Sequence, residues 1–94
     1  MVKHIVVYTL KEGVEKTAAV EKIASLLEPL VGRIPDLQWL EVCQTYQGDA
    51  DYALYSEFES QEALAAYQTH PEHLAAKAQF SDLIATRVCA DYEY

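Results

Sequence analysis

From Val2 to Leu10 apolar side chains occupy both alternations of an extended chain. His4, Val6, Tyr8 and Leu10 share one face, while Ile5 and Val7 stand on the other with Lys3 and Thr9. A period of two with apolar residues on both faces predicts a strand buried on both sides. Past Gly13 the period changes. Val20, Ile23, Leu27 and Leu30 recur at helical spacing, which predicts a helix over residues 16–31 stopped by Gly32. Pro29 lacks the N–H that would bond the Ser25 carbonyl, so the last turn is expected to kink. Ile34-Pro35-Asp36 then makes a turn.

Residues 37–46 alternate Leu37, Trp39, Glu41 and Cys43 against Gln38, Leu40, Val42 and Gln44, predicting a second strand. A polar turn at residues 47–51 leads into a third strand at 52–59. It carries Tyr52, Leu54, Ser56 and Phe58 on one face and Ala53, Tyr55 and Glu57 on the other. Ser60 is a good N-cap for a helix over 61–68 that presents Ala63, Leu64 and Tyr67 together. At His70-Pro71 the helix must break and restart, because proline suits the first helical position and pushes its predecessor out of the helical region. Leu74, Ala75 and Ala78 are expected to continue the apolar stripe towards Phe80, Leu83 and Ile84, and residues 86–92 form a last strand.

The order β-α-β-β-α-β predicts an α+β, ferredoxin-like fold: a four-stranded antiparallel sheet with helices on one face. Ninety-four residues leave room for one such domain, spanning 1–94. Helices on one face leave the face of Ile5 and Val7 uncovered. The expected remedy is a two-fold homodimer packed through the sheet face, with a large interface of the obligate kind.

Charge narrows the partners. Seven Lys and Arg against 15 Asp and Glu give −8, and since residues 1–40 are balanced, the excess lies in residues 41–94. Such a surface repels phosphate backbones and anionic lipid, so neither nucleic acid nor membrane is an expected partner. No apolar run reaches the ~18 residues of a membrane span and no signal-peptide pattern opens the chain, which points to the cytoplasm. Cys43 and Cys89 form neither a disulfide framework nor a zinc pattern, and no phosphate loop, nucleophile elbow or dinucleotide fingerprint occurs.

Chemistry concentrates in Tyr67-Gln68-Thr69-His70-Pro71-Glu72-His73. A proline at the first helical position puts His73 near a helix N-terminus, where the dipole disfavours imidazolium and leaves a neutral ring able to act as a base. Tyr67, one turn before His70, points at the sheet and could hydrogen-bond a developing enolate or phenolate. His4 shares the strand face of Val6 and Tyr8, so His73, Tyr67 and His4 are the candidate catalytic groups. Tyr8, Leu27 and His70 are candidate substrate contacts around them. His70 before a proline also suits a purely structural role as a cap. Histidines at i, i+3 with no carboxylate or cysteine at ligand spacing do not make a metal site, and no cofactor is expected.

Val2-Lys3-His4-Ile5-Val6, Ile34-Pro35, the strand from Tyr52 to Phe58, Ala63-Leu64-Ala65-Ala66-Tyr67, the His70-Pro71-x-His73 step and the terminal Asp91-Tyr92-Glu93 together resemble the stress-responsive A/B-barrel (Dabb) family. The resemblance implies a dimeric α+β barrel in which two ferredoxin-like sheets enclose a common interior. It includes stand-alone bacterial proteins without an assigned activity and plant polyketide cyclases performing an intramolecular aldol condensation. In that branch the matches of His73 and Tyr67 are the base and its polar partner, with the match of His4 nearby. The first helix there carries a tyrosine where this chain has Leu26 and Leu27. The resulting expectation is a homodimer binding a small apolar or aromatic acid between sheet and helices, with cyclase-like acid/base chemistry. The alternatives are a non-enzymatic stress or structural dimer and a cofactor-free monooxygenase on the same fold.

Overall fold

The computed structural model describes all 94 residues. Strand β1 (Val2–Leu10) leads to helix α1 (Lys16–Leu27), and β2 (Leu37–Gln44) and β3 (Tyr52–Phe58) follow. Helices α2 (Gln61–Thr69) and α3 (Pro71–Ala78) precede the closing strand β4 (Ile84–Glu93). The sheet order is β2-β3-β1-β4 and every pairing is antiparallel, the α+β ferredoxin-like arrangement. No helix is long and apolar enough to cross a membrane.

Local chemistry sets the element ends. Glu15 caps α1, its carboxylate accepting from the Ala18 N–H at 2.6 Å, and Ser60 caps α2 by accepting from the Ala63 N–H at 3.1 Å. Pro29 shortens the first helix rather than merely kinking it. The α-helix stops at Leu27 and Glu28–Leu30 continue as a 3-10 turn, whose tighter bonding does without the missing N–H. Gly32 follows at φ +90°, a conformation open to glycine.

Two expected faces are corrected. In β2, Leu37 pairs with Phe58 but Trp39 with Glu57, so Gln38 is an extra residue in a bulge. The bulge turns Leu37 to the buried side with Leu40 and Val42, and leaves Trp39 53% exposed on the other. In α3 the inward stripe is half-buried His73 and buried Ala76, leading to buried Phe80 just past the helix end, not Leu74, Ala75 and Ala78. Leu74 is 48% exposed, because starting the helix at Pro71 fixes which rotation meets the sheet. Leu83 ends a second 3-10 turn, Ser81–Leu83, and Ile84 already belongs to β4.

All the buried apolar residues lie between the helices and one sheet face. Val6, Leu54 and Phe58 supply the sheet side, and Ile23, Leu27, Leu64 and Tyr67 the helix side. Ile5, Val7, Ala53, Tyr55, Val88 and Tyr92 form the opposite face, which no element of this chain covers.

Candidate functional site

β1 alternation aims His4 and Tyr8 at the helices, one turn of the pleat either side of fully buried Val6. From the other wall, α2 delivers Tyr67, 2% exposed, at the end of its Ala63-Leu64-Tyr67 stripe. The helix then breaks. His70 is extended (φ −64°, ψ 134°), and its Nδ1 accepts from the Glu72 N–H at 3.1 Å, capping α3. That bond explains His70 structurally, and His70 is absent from the lining of the cavity below, contrary to its expected place as a substrate contact. Three residues later His73 turns back onto Tyr67, ring on ring, with centroids 4.0 Å apart and planes 22° apart. The two side chains stack instead of hydrogen-bonding.

Between these walls lies a cavity of about 300 Å³. His4, Tyr8, Leu27, Tyr67 and His73 all line it, so five of the six residues singled out from the sequence converge. Sequence reasoning missed two others. Lys77, one turn after His73, and Arg87, paired with Tyr8 across the β1–β4 ladder, bring two cations to the cavity. The lining holds no carboxylate, in a chain whose net charge is −8. The i+4 spacing of Lys77 from His73 was the one available signal for the first, whereas Arg87 required the register of two strands at opposite ends of the chain.

The titration of the site follows from its dryness. Burial pushes the Tyr67 and Tyr52 phenols well up, and it also raises Tyr8, although Arg87 opposes that rise. Both Tyr67 and Tyr8 are therefore neutral donors at neutral pH. Burial first, then the Lys77 ammonium, hold the His73 imidazole below its ordinary 6.5, against a partial pull from the Gln68 and Tyr67 carbonyls. The neutral ring expected at His73 thus arises from dehydration and Lys77 more than from the helix end. His73 Nδ1 is buried without a hydrogen-bond partner.

A pH dependence of stability follows. As pH falls through about 6.5 the unfolded chain protonates His73 while the folded chain resists, so the unfolded state binds more protons and stability declines until the folded value is passed. Melting followed from about pH 7.5 to 5 is expected to decline less steeply in a His73→Gln variant than in the parent. Parallel curves would show that this ring is not linked to folding.

His4, 3% exposed, has its own partner. The ladder sets it opposite Asp91, and its Nδ1 lies 2.5 Å from the Asp91 carboxylate. Cys89 Sγ sits 3.6 Å from the same nitrogen and 3.4 Å from the same carboxylate. These are the three metal-capable donors that converge, whereas His4, His70 and His73 do not. Burial and the Asp91 carboxylate raise the Cys89 thiol, which favours a protonated sulfur over a thiolate ligand.

A model of the Stress Responsive A/B Barrel Domain matches residues 2–94. The chain belongs to that family. A curated relative, an uncharacterised protein of Streptomyces coelicolor, is 34% identical over the whole of both chains. Among solved structures, a dimeric protein of unknown function and ferredoxin-like fold from Bacteroides fragilis is 34% identical, with a TM-score of 0.89 over 99% of this chain and 95% of that one. A dimeric ferredoxin-like protein of unknown function from Thermobifida fusca is 26% identical, with a TM-score of 0.85 over 99% of this chain and 90% of its own. Family and fold are thus shown for this A/B-barrel chain, and these relatives name no reaction.

Proposed function

We propose that this A/B-barrel chain works as a homodimer built through its open sheet face, and that each cavity binds a small aromatic or apolar organic acid. The observation that carries the reading is the presence of Lys77 and Arg87 in a cavity whose other lining is rings, aliphatic side chains and the uncharged Gln68 and Ser81, with no carboxylate to neutralise them. An anion entering such a place gains charge-assisted hydrogen bonds at the exposed rim where Lys77 and Arg87 stand, and the apolar walls take up the rest of the ligand. Tyr67 and the two imidazoles then stand beside whatever carbon lies next to the acid group. Proton transfer at an activated C–H, the first step of a cyclase-type condensation, is the chemistry those groups serve.

Phenylpyruvate, an aromatic 2-oxo acid with an activated methylene, is a suitable probe, and phenylacetone is its neutral counterpart with methyl in place of carboxylate. Calorimetry is expected to show saturable binding of the acid, with the ketone at least about 10-fold weaker. Arg87→Gln should weaken the acid by about 10-fold or more, the loss of one charge-assisted bond being worth roughly 1.5–3 kcal/mol. Equal affinity for acid and ketone, or no effect of the Arg87 change, would sink the anion assignment. A site that takes neither compound would leave the rings as structural packing in a non-enzymatic dimer.

A further inference from the structure

We propose that His4, held by Asp91, is the base of the cavity, and that His73 is a neutral wall of it. The assignment rests on the reading that the cavity takes an acid with an activated C–H. It reverses the roles expected from the sequence, on three features of the geometry.

The first is orientation. Asp91 Oδ1 accepts from His4 Nδ1–H at 2.5 Å, so the proton of the neutral ring is committed to Nδ1. Nε2 is left with its lone pair, and no protein group bonds it, on a ring that lines the cavity. A carboxylate that fixes the tautomer of a histidine and faces the charge it acquires is the recurrent way in which proteins prepare an imidazole base. The second is compensation. A proton taken by His4 creates an imidazolium in contact with a carboxylate. A proton taken by His73 creates one beside Lys77, in a ring that faces no carboxylate, whose Nδ1 makes no hydrogen bond and whose face is covered by Tyr67. The third is rigidity. His4 and Asp91 are directly opposed residues of a central strand and its neighbour, fixed by the ladder rather than by a loop. Asp91 reaches no substrate in this scheme and is a positioning residue.

The step balances without a cofactor. The carboxylate of the bound acid lies against Arg87 and Lys77. His4 Nε2 takes the proton from the activated carbon, the C–H pair becomes the C=C bond of the enolate as the carbonyl π pair moves onto oxygen, and that enolate oxygen accepts a hydrogen bond from the Tyr67 hydroxyl. Return of the proton, or of a deuteron acquired from solvent at Nε2, regenerates both the ring and the carbon acid.

Two measurements test the assignment together on the intact protein. Long-range proton–nitrogen correlations on 15N-histidine-labelled protein at neutral pH are expected to show His4 as the Nδ1–H tautomer, and Asp91→Asn is expected to abolish that preference. Deuterium exchange at the methylene of phenylpyruvate supplies the kinetic readout. His4→Gln should lower kcat at least about 100-fold, the low end of general-base contributions. Asp91→Asn should lower kcat about 10-fold or more with KM within about twofold, as loss of an orienting partner does. His73→Gln should act mainly through KM. An Nε2–H tautomer at His4 in the parent, or a larger kcat loss for His73→Gln than for His4→Gln, would overturn the assignment. Binding of phenylpyruvate without exchange would overturn the base role and leave the acid-binding reading standing, whereas absence of binding would remove both.

Discussion

A Val7→Asp variant is expected to sediment as a monomer at concentrations where the proposed dimer of the parent is populated, and to melt at a lower temperature. Val7 sits on the central strand β1, on the face that no helix covers, with Val88 directly across the ladder on one side and Ala53 on the other. Val88 is 65% exposed in the single chain, Trp39 53% and Tyr92 47%, too much contiguous apolar surface for a protein of this size to leave in water. Two similar proteins with solved structures are dimeric. In a two-fold interface every substitution counts twice. Even at about 2 kcal/mol for each buried, unpaired carboxylate, the pair costs about 4 kcal/mol, roughly a 1,000-fold rise in the dimer dissociation constant. Sedimentation equilibrium over a range of concentrations measures it. An unchanged dissociation constant would move the interface elsewhere, with the unpaired outer edge of β4 the next surface to test.

That face could be read in the residues because its evidence is local. Ile5 and Val7 opposing His4, Val6 and Tyr8 is a statement about consecutive positions, and so are the cap at Ser60 and the restart at Pro71. What escaped depends on events outside the local window. Nothing in Leu37-Gln38-Trp39 announces the bulge, which exists because β3 offers one partner where β2 offers two residues. The rotation of α3 is set by its first residue, and a small difference in phase exchanged Leu74 for His73 and Ala76 on the buried side. The site shows the same division. Tyr67, His73 and His4 are recognisable as residue types at telling positions, but Asp91 meets His4 across a separation of 87 residues and Arg87 reaches the cavity only through the same strand pairing. Pairing the first and last strands of a ferredoxin-like sheet was the step that could have revealed both.

Phe58→Ala is expected to cost about 3–5 kcal/mol, a large share of a total stability of the order of 5–15 kcal/mol. Phe58 is completely buried, at the end of β3 between Val2 and Leu37 on its neighbouring strands. Its ring packs against Tyr67 at a centroid distance of 5.0 Å and edge-on against His4 at 6.3 Å. Removing it deletes a large transfer contribution and leaves a void that two fixed strands and α2 cannot close. Phe58→Leu keeps most of the volume and should cost no more than about 1.5 kcal/mol. Urea unfolding of the three proteins gives the ranking, and a loss below about 1 kcal/mol for alanine would mean that the walls collapse around the gap. Because Phe58 supports Tyr67 and His4 without lining the cavity itself, the leucine variant also separates packing from binding. If it stays folded but takes phenylpyruvate more weakly, the positions of those two rings, held from behind by Phe58, set the affinity of the cavity.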